Sequence, residues 1–230
     1  MKHQIVILLF LVGIINNSCK KEDLCPSSTD LGQLEWSQET EKWFPKEYMT
    51  KPFLINFTSN NGEIKTFTLD TVGILQGLFW NFEMECENGG GTTNVRYATK
   101  RLFGTFESED SIRINFGIGV WNERIGVSYV NEADFYEWIE ISMFKKIRSG
   151  SLYDIGRISI VTDLRNSELF EIEFQPNVYS FQHQEHVGGK LLDNVYSDGE
   201  IENPESDLFF QKGIGLIAFK DKNGELWIKN

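Results

Sequence analysis

The sequence predicts a mainly β chain: an antiparallel β-sandwich or strongly curved sheet with one packed helix near residues 132–148. Three observations carry that expectation. Beyond residue 50, apolar side chains recur at every second position, the period of a half-buried strand. Asn61-Gly62 and Asn223-Gly224 sit between such segments and supply the backbone dihedrals of tight hairpin turns. One stretch, around 131–148, carries apolar residues at helical spacing instead.

In chain order, Leu31 to Tyr48 is rich in Trp, Glu and Lys and suits a short helix as well as an irregular cover. Phe53, Ile55 and Phe57 then alternate with polar neighbours. After the Asn61-Gly62 turn, Glu63 to Leu69 returns with Phe67 and Leu69 on one face. Leu78 to Cys86 and Val95 to Phe106 read as strands flanking Asn88-Gly89-Gly90-Gly91-Thr92, whose glycines favour no regular structure. Ile112, Ile114, Phe116, Ile118 and Val120 give the clearest half-buried strand. Asn131 is placed to cap a helix in which Phe135, Trp138, Ile139 and Met143 share a face. Lys145, Lys146 and Arg148 complement its far end, and Gly150 stops it. Ile139, Ile141 and Met143 also alternate, which leaves a strand as the other reading. Phe170, Ile172 and Phe174 mark a further strand. Near the end, Leu216 to Phe219 and Leu226 to Ile228 are joined by Asp221-Lys222-Asn223-Gly224. About ten short strands of this kind need a second layer or strong curvature to bury their apolar faces. Their irregular lengths argue against a membrane-spanning barrel.

The N-terminus fixes an address. Lys2 and His3 precede an apolar run from Ile5 to Ile15, about 16 Å long as a helix at roughly 1.5 Å per residue. A permanent span needs about 20 apolar residues, so the run reads as an export signal. Ser18-Cys19-Lys20-Lys21-Glu22-Asp23 follows, and this resembles the lipoprotein signals of Bacteroidota, although Asn16 and Asn17 depart from the expected small and apolar residues. The resemblance implies that Cys19 is lipidated and becomes the first mature residue. It also implies that Glu22-Asp23 act as a tag for export to the outer face. Each buried methylene of an acyl chain contributes about 0.8 kcal/mol, so three chains hold a protein effectively permanently. The expected organisation is a signal over 1–18, a lipidated tether over 19–30 and one β-rich domain over 31–230. A second resemblance lies near the end. Gly189-Lys190, Asn194-Val195-Tyr196, Phe209-Phe210-Gln211-Lys212-Gly213-Ile214-Gly215-Leu216-Ile217 and Asn223-Gly224-Glu225-Leu226-Trp227 look like the ending of many small Bacteroidota outer-membrane lipoproteins. That likeness supports location and β fold and assigns no activity.

Composition narrows the partners. A formal net charge of −12 repels phosphate backbones, so nucleic acid is a poor partner. Aromatic residues make up 13% of the chain, enough for a large core and too many for disorder. Lipidation consumes Cys19 and leaves Cys25 and Cys86, which an oxidising exterior allows to pair. The bridge would close a loop of about 60 residues, worth on the order of 4 kcal/mol in the chain-entropy model.

Candidate chemistry is sparse. His183-Gln184-Glu185-His186 is the one cluster suited to a metal, but the spacing is a residue short of the zinc-protease patterns. Val178 to Phe181 reads as strand, and on a strand His183 and His186 point to opposite faces. The acidic run Asp193, Asp198, Glu200, Glu202, Glu205 and Asp207 does not match the ligand spacing of a calcium loop. No nucleophile elbow is present, and no cofactor is expected. Asp70-Thr71-Val72 and Asp110-Ser111-Ile112 resemble a short O-glycosylation pattern of the same bacterial group. Trp36, Trp43, Trp80, Trp121, Trp138 and Trp227 are core by default, and any that are exposed would stack on sugar rings. The expectation is therefore a lipid-anchored envelope protein acting as a non-catalytic binding or structural module on the outer membrane, with a glycan or envelope protein as partner. The alternative is a lipid-anchored hydrolase or glycan-processing accessory protein, and a periplasm-facing assembly factor is a third. A cleft with two facing carboxylates would favour the enzyme, and a row of exposed Trp faces would favour binding.

Overall fold

A computed structural model describes residues 28–85, 91–122, 135–146, 152–163, 180–198, 207–221 and 223–230. The described strands are β1 (Ser28–Leu34), β2 (Leu54–Ser59), β3 (Ile64–Glu85), β4 (Thr92–Ser108), β5 (Ile112–Asn122), β6 (Phe135–Lys146) and β7 (Leu152–Asp163). They continue with β8 (Ser180–Val187), β9 (Lys190–Ser197), β10 (Leu208–Gln211), β11 (Gly215–Lys220) and β12 (Leu226–Lys229). One short helix, α1 (Gln38–Glu41), and a 3-10 turn at Lys46–Met49 lie between β1 and β2. All twelve strands belong to one sheet in the order β7-β6-β5-β4-β3-β2-β12-β11-β10-β9-β8, with β1 added to β4.

Two antiparallel meanders, β2–β7 and β8–β12, are stitched together by β12 pairing with β2 (Trp227 opposite Ser59, Lys229 opposite Phe57). The sheet curls into a half-barrel that brings its β7 edge up to β10. At Gly156 on β7, a side chain would collide with Asp198 Oδ2 and with Leu208 of β10. The expected strongly curved sheet is thus the fold.

The segment 35–50 fills the concave side and resolves the undecided reading of Leu31 to Tyr48: β1 starts it, and two helical turns follow. Ser37 caps α1 by accepting from the Thr40 amide at 3.1 Å. Trp36, Trp43, Phe44 and Tyr48 are buried against the sheet. The Phe44 ring lies 5.1 Å from Phe116 and 5.7 Å from Phe210, and Tyr48 lies 4.8 Å from Phe106. Aromatic plugs of this kind remove large apolar areas from water per residue, at about 25 cal/mol per Å². Glu137 reaches the plug from β6 and is fully buried. It accepts from the Ser37 amide, from the Ser37 and Thr40 hydroxyls, and from Thr162 Oγ1 at 3.0 Å.

The helix expected near residues 132–148 is overturned. Phe135–Lys146 is β6, a central strand with Ile114 opposite Met143 on one side and Ile139 opposite Ile160 on the other. Both of its faces carry apolar groups. Phe135, Ile139, Ile141 and Met143 join the main core, while Tyr136 and Trp138 pack on Val161 outside it. A strand with two apolar faces reproduces helical spacing by accident.

The β8–β12 meander carries a small apolar cluster apart from the main core. Val187, Val195, Phe209, Ile217 and Ala218 form a separate cluster with Leu192, Leu226 and Ile228. The β8–β9 turn sits on β12 so closely that a side chain at Gly188 would overlap Ile228. Cys19, Cys25 and Cys86, the signal 1–18 and the strand expected at Phe170–Phe174 lie outside the described residues. Pairing already begins at Ser28, opposite Asn94, within the stretch read as tether.

Candidate functional site

The site is created by a fork in the sheet. β4 pairs with β5 only from Arg101 (opposite Gly119) to Glu107 (opposite Arg113). Towards its start, the same edge of β4 is taken by β1, with Gln33 opposite Ala98 and Leu34 opposite Thr99. β5 meanwhile continues alongside β6 as far as Asn122. The two arms therefore diverge at Arg101. A bulge across from this point adds one residue to β3 between Leu75 and Leu78, with Gly77 at φ +66°. The burial phase of β4 changes at the same place. Val95, Tyr97 and Thr99 are buried before it, and Leu102, Gly104 and Phe106 after it.

A groove of about 510 Å³ occupies the fork. Trp80 from β3 and Trp121 from β5 pack edge to face in its wall, 38% and 40% exposed, with ring centroids 4.9 Å apart at 72°. Tyr97 backs the Trp80 ring at 6.5 Å, nearly parallel to it. Trp138 forms part of the wall, its indole N–H donating to Ser159 Oγ at 2.9 Å and the Arg101 guanidinium 5.2 Å from its ring. Lys100 and Arg157 also line the groove. Lys100 is bound to Glu35 at 3.1 Å, and Arg157 approaches Glu140 at 3.6 Å. Such a surface combines flat apolar faces with hydrogen-bonding groups at the rim, which is what stacking on a sugar ring requires.

A second cleft, about 560 Å³ and more polar, lies at one end of the half-barrel around Asp110. Lys65 donates to Asp110 Oδ2 at 2.6 Å, Ser108 donates to Oδ1, and Lys145 lies 3.9 Å away. Burial works against charge on Asp110, but these hydrogen bonds and the two ammonium groups hold its carboxyl below the ordinary value. The cleft's cations are thereby committed to Asp110, so it offers less to a ligand than the groove does.

The six tryptophans divide cleanly. Trp36, Trp43 and Trp227 are core, Trp80 and Trp121 are exposed, and Trp138 is half-buried. One signal for Trp121 was present in the chain. It continues the alternation of Ile112 to Val120 on the opposite parity, which directs it away from the core. Nothing comparable marks Trp80, because two bulges interrupt β3. His183 and His186 lie on β8 as a strand, both exposed, with the His183 ring 5.0 Å from Phe181. Among the described residues, no group of three or more His, Cys, Asp or Glu is arranged to hold a metal. Of the acidic run, Asp193 accepts from Gln184 at 3.0 Å, and Asp198 Oδ1 accepts the amides of Asp207 and Leu208 at 2.7 and 2.8 Å. Glu200, Glu202 and Glu205 are outside the described residues. Thr71 is exposed on β3 with its hydroxyl on Asp70 at 2.9 Å, and Ser111 sits in the β4–β5 turn at φ +64°.

Together these features define a curled antiparallel half-barrel with an aromatic-lined fork. No family model matches the chain, and no curated protein or solved structure is significantly similar to it.

Proposed function

We propose that this chain is a lipid-anchored envelope protein, held in the outer membrane through acyl chains on Cys19, whose domain binds a saccharide without transforming it. The observation that carries the reading is the pair of exposed indoles, Trp80 and Trp121, packed edge to face in the fork. Exposed aromatic rings held by a rigid sheet present a stacking surface at little entropic cost. Among the described residues that line the groove, Glu140 carries the one carboxylate. Glycoside hydrolysis needs two, which is why binding is preferred to the hydrolase alternative. The Cys25–Cys86 bridge belongs to the same proposal and would tie the tether to the domain.

Two measurements test it. Radiolabelled fatty acid fed to cells should appear in the native protein and disappear in Cys19→Ala. A glycan array followed by titration calorimetry should show binding that Trp80→Ala and Trp121→Ala each weaken by about tenfold, or 1.4 kcal/mol. A double Trp variant that binds as well as the natural protein would remove the groove from consideration.

A further inference from the structure

We infer that the saccharide is a chain of neutral rings carrying an isolated acidic group, and that Arg101 at the middle of the groove receives that group. This rests on the binding reading above and specifies its ligand.

Length comes first. The fork groove continues into a neighbouring recess of about 330 Å³, and the two share Arg101, Trp138 and Glu140. The recess adds Leu75 and Phe103 beyond Arg101, while Trp80 and Trp121 lie in the fork groove. A ligand occupying both is extended, with apolar contacts at each end and Arg101 between them.

Charge comes next. Of the three cations in the fork groove, Lys100 is bound to Glu35 and Arg157 approaches Glu140. The Arg101 side chain has no carboxylate partner among the described residues and lies against the Trp138 ring. A guanidinium held over a ring by cation–π attraction still has N–H donors to offer, and its planar fork receives a carboxylate or sulfate bidentately.

The whole molecule then limits how many acidic groups the ligand carries. At physiological salt, screening leaves mainly charges within about 8 Å to act on a bound group. On this chain of net charge −12, those beside the groove include Glu140, which lines both groove and recess, and Glu35, paired with Lys100. A single anion next to Arg101 gains a contact inside that distance. A chain charged on every ring meets the same attraction once and the surrounding repulsion many times.

Calorimetry on the full lipoprotein in detergent should compare three probes: xylotetraose, the same chain bearing one glucuronic acid, and tetragalacturonate. The singly acidic chain should bind on the order of tenfold more tightly than the neutral one, and more tightly than the fully charged one. Arg101→Gln should abolish the preference for acid, so that the neutral and singly acidic chains bind alike. Arg101→Lys, which keeps the charge and loses the planar fork, should retain part of the preference. A sulfated tetrasaccharide with one sulfate separates carboxylate from sulfate as the group received. Equal binding of the neutral and singly acidic chains, or a preference that survives in Arg101→Gln, would overturn the inference and leave the groove intact. Tightest binding of the fully charged chain would overturn the limit to one acidic group. Absence of binding by every saccharide, with silent Trp variants, would remove the binding reading itself.

Discussion

Asp198 shows how one carboxyl reports the closure of the half-barrel. It sits where β7 and β9 approach each other, and burial pushes its pKa up from 3.8 to about 6 despite the two backbone amides it accepts. Between these values the folded chain keeps a proton that the unfolded chain has lost. The resulting stabilisation is present at low pH and is lost as pH rises towards and through 6. Asp198→Asn should therefore match the natural protein near pH 4 and exceed its stability by about 1–2 kcal/mol at pH 7.5, measured by urea unfolding. Asp110 has the opposite sign. Its lowered pKa means that Asp110→Asn loses a small stabilisation at neutral pH, one that the natural protein itself loses in acid. Gly104 is constrained by a neighbour instead, because the Phe116 ring lies across it and a Cβ would fall 2.0 Å from that ring. Gly104→Ala should destabilise by about 1–3 kcal/mol through overpacking, seen as a lowered urea midpoint at unchanged m-value.

At the level of elements, β6 is the instructive case. The chain there satisfies both periods, and a capping residue, terminal charges and a stop signal all favour the helix. Pairing with β5 and β7 over its whole length decides for the strand, because two partners offer ladder hydrogen bonds on both edges. The two arrangements predict different mutational costs. On a helix whose face is Phe135, Trp138, Ile139 and Met143, Ile141 would lie towards solvent. On β6 it is buried in the main core. Ile141→Ala should accordingly cost about 2–5 kcal/mol in thermal or urea unfolding, and a loss under 1 kcal/mol would restore the helix. The fork belongs to this scale too. β1 displaces β5 from the edge of β4, and that substitution of one neighbour for another opens the groove that Trp80 and Trp121 line.

For the molecule as a whole, the seam between β2 and β12 joins the two meanders, so the last strand is a structural keystone. Trp227 is buried there and stacks on Phe219 at 6.1 Å. Trp227→Ala should cost about 3–5 kcal/mol, and removing Leu226–Asn230 should abolish cooperative unfolding of both meanders together. If each meander kept its own transition after that truncation, the sheet would be two independent units.

The chain by itself determined the β class, the hairpins at Asn61-Gly62 and Asn223-Gly224, and the core faces of β2 and β5, because period and turn chemistry are local properties. It also determined which residues are eligible to stack on a ligand, since six tryptophans stand out in any reading. Only the tertiary structure decided that Phe135–Lys146 is a strand, that Trp36 and Trp43 plug the concavity, and that Trp80 and Trp121 meet in the fork. Those outcomes depend on which strand occupies which edge, and an edge partner lies tens of residues away in sequence. Non-local pairing sets the groove, and local periodicity carries no record of it.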